Sequence, residues 1–117
     1  MYKLEFYVTA DGKEPVIDFL DSLDSKMGAK LLGLMELLEK NGPLLREPYS
    51  APLGDGIFEL RCKLGSNITR TLYFFYTGKQ IVVTNGFVKK TQKTSRQEIK
   101  LAKERRKDWL SRKGEVK

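Results

Sequence analysis

Cationic side chains at alternate positions of two successive segments have the spacing of a phosphate-binding site. Arg61 and Lys63 lie two residues apart in an alternating segment, and Arg70 lies in the next segment, beyond a Gly-Ser-Asn turn. A guanidinium is planar, stays charged and binds two phosphate oxygens at once, so it can stabilise charge that develops on phosphorus. These three residues are candidates for such a site if the two segments are neighbouring strands.

The length of the turn decides whether the three cations share a face. A two-residue turn at Ser66-Asn67, or a four-residue loop, places Lys63 opposite Arg70 with Arg61 beside them, whereas a three-residue turn moves Arg70 to the other face. We favour the first register, because it keeps Arg70 out of the core, where an unpaired charge is costly. The alternative interpretation is a row of solvent-facing charges in which Glu59 pairs with one arginine.

A second group of cations, Lys89-Lys90-Thr91-Gln92-Lys93, precedes a helix that the capping-box pattern Ser95-x-x-Glu98 predicts. The start of a helix attracts phosphate and normally carries acidic neighbours, so basic residues here favour an anionic partner. Within that helix a narrow basic stripe is also typical of an ordinary solvated face; it comprises Arg96, Lys100, Lys103 and Lys107.

Hydrophobic periodicity predicts the elements that would position these groups. The first is a strand with four apolar residues on one side: Tyr2, Leu4, Phe6 and Val8. Two helices follow, one beginning at Pro15 and one capped by Asp24 or Ser25, and the second ends at Asn41-Gly42-Pro43. Residues 42–56 are rich in Gly and Pro and are expected to form a loop.

Three strands at residues 57–64, 68–76 and 81–84 and a final helix from about Ser95 to Ser111 complete the chain. The apolar face of that helix should pack in the core; it comprises Ile99, Ala102, Trp109 and Leu110. The order β-α-α-β-β-β-α predicts an α+β fold, an antiparallel sheet with an N-terminal helical hairpin and a C-terminal helix, in one domain spanning residues 1–117.

Composition favours a polyanionic partner and excludes several kinds of site. The 117 residues include 22 Lys and Arg against 15 Asp and Glu, a net charge of +7, with −4 on residues 1–58 and +11 on residues 59–117. With no His and one Cys, the chain lacks zinc sites built from His and Cys, histidine-based triads and an internal disulfide. We expect neither a signal peptide nor a membrane span, since no apolar run approaches the necessary length.

Several of these motifs match a known pattern. The run Gly86-Phe87-Val88-Lys89-Lys90-Thr91-Gln92-Lys93-Thr94, followed by Glu98-Ile99-x-x-Ala102, resembles the HigB-like, phage-related branch of the RelE toxin superfamily. The segments Phe58-Glu59-Leu60-Arg61 and Thr69-Arg70-Thr71-Leu72-Tyr73 are similar to the two middle strands of that family. The start of its first helix resembles Pro15-Val16-x-x-Phe19-Leu20.

The resemblance implies a RelE-like fold and a type II toxin–antitoxin mRNA interferase, a cytoplasmic, ribosome-dependent endoribonuclease. Such toxins cleave mRNA in the ribosomal A site and inhibit translation without a metal or other cofactor. The implied partners are a cognate antitoxin, often a helix-turn-helix HigA-like protein, together with mRNA on the ribosome and ribosomal RNA. Operator DNA would be bound only through the antitoxin, and no membrane is involved.

Residues that line the RNA site in the family match Arg61, Arg70, Lys89 and Lys90, which we predict to be catalytic. We further predict RNA contacts by Lys63, Tyr73, Lys93, Arg96, Lys100 and Lys103. The arginines would stabilise the phosphorane formed when the 2′-hydroxyl attacks phosphorus. Lys89 or Lys90 would exchange protons, since neighbouring cations lower the pKa of a lysine.

Some alternatives remain open at this stage. Glu59 is a weaker candidate for the base, and Tyr73 or Tyr76 is a candidate for stacking on a nucleobase. A non-catalytic RNA-binding module would use the same basic face. An inactive toxin remnant would use that face only to dock an acidic partner.

Overall fold

The computed structural model describes residues 1–89 and 93–115, and these form five strands and three α-helices. The strands are β1 (Lys3–Phe6), β2 (Ser50–Gly54), β3 (Ile57–Leu64), β4 (Asn67–Tyr76) and β5 (Gln80–Val88). The helices are α1 (Pro15–Ser22), α2 (Ser25–Asn41) and α3 (Arg96–Glu115), and a short 3-10 helix spans Gly42–Leu44. The fold is α+β and compatible with a RelE-like architecture, as expected.

The sheet has the strand order β1-β5-β4-β3-β2, and its neighbouring strands are antiparallel except for the parallel pair β1 and β5. The predicted antiparallel sheet is confirmed for β2 to β5, and β1 adds a parallel pair with β5 that the sequence did not indicate. The alternation of a strand shows which side chains share a face, but it carries no information about strand direction.

Two apolar layers enclose the sheet. The α1–α2 hairpin covers one face, where Leu31 and Leu38 pack with Leu60 and Tyr73 of the sheet. On the other face, Ala102 and Trp109 of α3 pack with the sheet residues whose side chains point to that side. These are Ile57, Leu72, Phe74 and Val82. The strict alternation in β3 reflects an apolar face under the hairpin and a polar face on the other side, where Glu59, Arg61 and Lys63 lie.

Several details differ from the sequence predictions. Strand β5 continues to Val88, beyond the predicted end at Thr84. Residues 42–56, expected to be a loop, also contain the 3-10 helix and strand β2. A strand is possible here despite Pro52 because β2 is an edge strand, where the missing N–H breaks no hydrogen bond of the sheet. Val8 is 38% exposed because it lies beyond the end of β1, and Leu110 is 40% exposed on α3. The last helix extends to Glu115 and starts where the capping box predicted, with Ser95 Oγ accepting a hydrogen bond from Glu98 N at 3.3 Å.

The helix α1 rests directly on the backbone of β5 at Gly86. A Cβ atom at Gly86 would lie 2.5 Å from Cδ2 of Phe19 and 2.9 Å from Cγ2 of Thr71. These separations are far below van der Waals contact, so the close approach of helix and sheet requires glycine at this position.

We expect Gly86→Ala to destabilise the protein by about 1–3 kcal/mol, the usual cost of overpacking a core. Gly33 is the matched control, because a Cβ there meets nothing within 4 Å and the residue is exposed on α2. Gly33→Ala should stabilise by up to about 1 kcal/mol through helix propensity. Urea unfolding of both variants measures the two changes, and equal midpoints would contradict the proposed helix–sheet contact.

Candidate functional site

Arg61 of β3 lies directly opposite Arg70 of β4. The turn between the strands is two residues long, Gly65-Ser66, so Arg61, Lys63 and Arg70 share a face, as the favoured register required. The predicted partner of Arg70 was wrong, because Lys63 stands opposite Ile68 instead. The turn has the expected even length but lies one residue earlier than expected, which shifts the pairing by two residues.

A buried carboxylate joins the two arginines. Glu59 is 1% exposed, and its Oε2 accepts a hydrogen bond from Arg61 Nε at 2.7 Å while its Oε1 accepts one from Arg70 Nη1 at 3.0 Å. Arg70 is itself only 5% exposed, so the expectation that it stays out of the core was wrong. The burial is tolerated because Glu59 supplies the opposite charge and the acceptor that a buried guanidinium requires.

Thr94, in the segment that leads into α3, closes the same cluster. Its hydroxyl accepts a hydrogen bond from Arg70 Nη1 at 2.8 Å and donates one to Oε1 of Glu59. Sequence reasoning did not single out Thr94 as functional, although it ends the run that carries the family resemblance. We term Glu59, Arg61, Arg70 and Thr94 the arginine clamp.

Two rows of side chains cross the sheet on the face of the arginine clamp. Arg61 N donates to Tyr49 O at 2.7 Å, so the first row continues outward from Arg70 and Arg61 to Tyr49. The second row holds Lys63, Ile68 and Lys89, since Lys89 N donates to Ile68 O at 2.8 Å. Lysines thus stand on both sides of one apolar residue, next to the paired arginines.

These rows border a groove of about 430 Å³ that extends around the free edge of β3 to α2. Its cations are Lys30, Arg61, Lys63, Arg70 and Lys89. Its apolar and aromatic wall is formed by Leu34, Pro48, Tyr49, Cys62 and Ile68. A cationic rim around an apolar wall suits a ligand that is both anionic and flat or apolar.

The electrostatics of the groove distinguish its two kinds of cation. The pKa of Lys89 is lowered, first by burial and then by the charges of Arg70 and Arg61, with Glu59 opposing the shift. The hydrogen bond to Glu59 raises the pKa of Arg61, so this guanidinium is protonated at every working pH. The groove therefore combines a permanent charge with an amine that gives up its proton more readily than an ordinary lysine.

A family model described as phage-derived protein Gp49-like (DUF891) matches residues 18–107, more than half of the chain. The chain belongs to this family. Gp49-like proteins are toxins of toxin–antitoxin systems, of the RelE/HigB type, so a cognate antitoxin is an implied partner. The matched segment contains the whole arginine clamp and Lys89. Among curated proteins, no match was found.

The other predicted site residues of this Gp49-like chain occupy three different places. Lys63 lines the groove, and Lys93 is exposed just before α3. Arg96, Lys100 and Lys103 instead border a separate concavity of about 250 Å³ around Ile99, and Lys103 forms an ion pair with Asp55 at 2.5 Å. Lys90 lies outside the described residues.

Tyr73 was wrongly predicted to contact RNA. It is 1% exposed, its ring packs between Phe58 and Phe75, and its hydroxyl bonds to Ser50 Oγ. Tyr73 stands on the hairpin face of the sheet, opposite Phe58, whereas the arginine clamp lies on the other face. The aromatic residue that borders the groove is Tyr49, which is 44% exposed and which sequence reasoning missed.

Within residues 1–89 and 93–115 the structure contains no helix with the length and apolar character needed to cross a membrane. The same residues include no cluster of His, Cys, Asp or Glu arranged to hold a metal ion.

We expect Glu59→Gln to destabilise the protein by about 3 kcal/mol, because it leaves the buried charge of Arg70 without its counter-ion. Glu47→Gln is the matched control, since Glu47 also bonds Arg61, at 3.2 Å, but its side chain is 71% exposed. That change should cost less than about 1 kcal/mol. Chemical denaturation of both variants tests the difference, and equal losses would show that Glu59 does not hold the arginine clamp together.

Proposed function

We propose that this Gp49-like protein is a HigB-like type II toxin that cleaves mRNA in the ribosomal A site and thereby inhibits translation. The observation that carries the proposal is the groove in which Arg61 and Lys89 flank one apolar wall above the buried pair of Glu59 and Arg70. Backbone phosphates of RNA would bind these cations, and cleavage would proceed by attack of the 2′-hydroxyl on the neighbouring phosphorus, with no metal.

Arg61 is the residue we assign to the developing charge on phosphorus. Its side chain is 33% exposed and lines the groove, while its Nε is fixed by Glu59. A guanidinium that is already oriented loses little freedom when it binds a phosphate, so its charge acts mainly in the transition state.

Arg70 has a different role in this proposal from the direct phosphate contact that its sequence position suggested. It is 5% exposed and bonds both Glu59 and Thr94. Its charge lowers the pKa of Lys89 and adds to the positive potential of the groove. We therefore propose that Arg70 supports the reaction mainly through its field and through the position of Glu59.

Lys89 is the proposed proton donor. Its pKa is lowered from that of an ordinary lysine, so its ammonium group gives up a proton more readily to the leaving 5′-oxygen. Glu59 is a poor candidate for the base, because both of its carboxylate oxygens already accept hydrogen bonds from Arg61, Arg70 and Thr94. The proton of the attacking 2′-hydroxyl would therefore pass to solvent water, while Lys89 gives its own proton to the leaving 5′-oxygen. Lys90 stays a prediction.

The remaining cations would bind the surrounding RNA. We propose that Lys63 contacts the mRNA backbone at the groove and that Lys93, Arg96, Lys100 and Lys103 contact ribosomal RNA. A helix-turn-helix HigA-like antitoxin would hold the toxin inactive, and operator DNA would be bound through that antitoxin alone.

One observation favours a second candidate function, an RNA-binding module without catalysis. In the free chain, Nε and Nη1 of Arg61 already bond the carboxylates of Glu59 and Glu47. A guanidinium that kept both partners would not stabilise charge on phosphorus, so the groove would bind RNA through its lysines without cleaving it.

Induction of wild type and Arg61→Ala in growing cells, followed by mapping of new 5′ ends on translated mRNA, separates these functions. We expect wild type to arrest growth and cut mRNA, and Arg61→Ala to reduce cleavage by roughly 10²–10³-fold, the usual cost of removing one donor to a transition-state oxyanion. Arg61→Ala/Arg70→Ala should cut no more than the single variant. Lys79→Ala, which removes an exposed lysine in the turn between β4 and β5, is the charge-matched control and should cut normally.

Growth arrest by wild type without new 5′ ends would contradict the ribonuclease and favour the binding module. Normal cleavage by Arg61→Ala would contradict only the role of Arg61.

The rate of cleavage should fall as the pH rises through the lowered pKa of Lys89, because the donor then loses its proton. In Lys89→Arg the charge persists to higher pH, so this alkaline decline should disappear while cleavage at neutral pH drops roughly 10²-fold. Single-turnover cleavage of mRNA on programmed ribosomes, followed from neutral pH upward, measures both effects. An unchanged alkaline decline in Lys89→Arg would assign the proton transfer to another group.

A further inference from the structure

Tyr49 is the exposed aromatic residue at the outer end of the arginine row. It lies opposite Arg61, to whose backbone N–H it is bonded at 2.7 Å, and 44% of its surface is exposed. Residues paired directly across two strands point to the same face, so its ring stands beside the guanidinium on the groove side. Neither apolar cluster of the described residues includes Tyr49.

The wall that continues from Tyr49 is apolar. Pro48 precedes it, Ile68 stands between the two lysines of the second row, and Leu34 of α2 borders the far side. A purely electrostatic phosphate site would gain nothing from such a wall. The groove volume of about 430 Å³ falls within the roughly 300–1,000 Å³ that is typical of pockets for small organic ligands.

The charges around the wall identify the anionic part of the ligand. Five cationic side chains line the groove, among them Arg61 next to Tyr49 and Lys89 across the apolar wall. Single-stranded RNA is recognised in this way, with an unstacked base on an aromatic side chain and the adjoining phosphates on cations. A base inside a duplex is already stacked and cannot occupy such a wall.

We infer that the groove seats one nucleotide of single-stranded RNA, with its base stacked on Tyr49 and its phosphate on Arg61 and Lys89. The inference rests on the proposed RNA substrate and adds a base-binding subsite to it. Tyr49 would fix the register of the strand, so the nucleotide on its ring decides which phosphate reaches Arg61.

Short RNA that is 2′-O-methylated throughout tests this subsite, because it cannot be cleaved by 2′-hydroxyl attack. One strand carries the fluorescent base 2-aminopurine, moved along the sequence position by position, and a second strand lacks the base at the same position. With the full-length protein we expect quenching at one position in wild type and in Tyr49→Phe, which keeps the ring. Tyr49→Ala should lose the quenching and bind about tenfold more weakly or worse.

Two controls keep the result specific. Leu44→Ala removes another exposed apolar side chain, 76% exposed and outside the groove, and should leave both signals unchanged. The strand that lacks the base should bind wild type and Tyr49→Ala equally, since neither complex then contains the stack.

Quenching and affinity that survive in Tyr49→Ala would overturn the inference, as would a wild-type protein that binds neither strand or that prefers duplex RNA. Mapping of 5′ ends in cells separates this failure from failure of the ribonuclease. If wild type cuts mRNA but quenching is unaltered in Tyr49→Ala, only the stacking subsite is disproved. Quenching on Tyr49 in a protein that never cuts disproves only the cleavage.

Discussion

The ion pair between Glu59 and Arg70 is the interaction on which the candidate site depends. Both side chains are buried, so each would be costly to remove from water without the other. Because the pair has a fixed place on β3 and β4, it also orients Arg61 and gathers positive charge beside Lys89. A buried ion pair keeps one arrangement, because separating it would leave a charge without a partner. The side chains that the pair holds at the groove are therefore fixed as well.

The architecture supplies that burial. The hairpin of α1 and α2 covers one face of the sheet, and α3 covers part of the other, which leaves the groove at the uncovered end of that second face. Lys30 reaches across from α2 and donates to the carbonyl of Lys63, so the mainly acidic N-terminal half still contributes a cation to the basic surface. The charge asymmetry along the sequence therefore does not translate into two separate halves of the molecule.

Within each strand the sequence was sufficient to predict which residues share a face, because side chains alternate between the two faces. Between β3 and β4 the prediction also needed the favoured turn length. It placed Arg61, Lys63 and Arg70 together and kept them apart from Leu60 and Cys62, and the structure confirms this. The residue directly opposite Arg70 depends on where the two-residue turn lies, and the alternation of side chains does not determine that position. The predicted RNA contact of Tyr73 was wrong because a tyrosine occurs both in cores and on RNA-binding faces, and its residue type does not distinguish the two.

Contacts between distant segments left no pattern to detect. Gly54 and Pro52 concealed strand β2 in the sequence, and with it the position of Tyr49 beside Arg61. The burial of Arg70 was also missed, because the cost of burying an unpaired charge does not apply to a guanidinium that Glu59 neutralises.

Thr94 is the last residue of the arginine clamp to be synthesised, because it follows Glu59, Arg61 and Arg70 in the chain. It bonds Glu59 across 35 positions of the chain, so during synthesis β3 and β4 exist before the last member of their cluster. Until the ribosome has made the segment around Thr94, the carboxylate and its guanidinium partners remain incompletely enclosed. A growing chain therefore carries an unfinished site until the last fifth of the chain has begun to emerge.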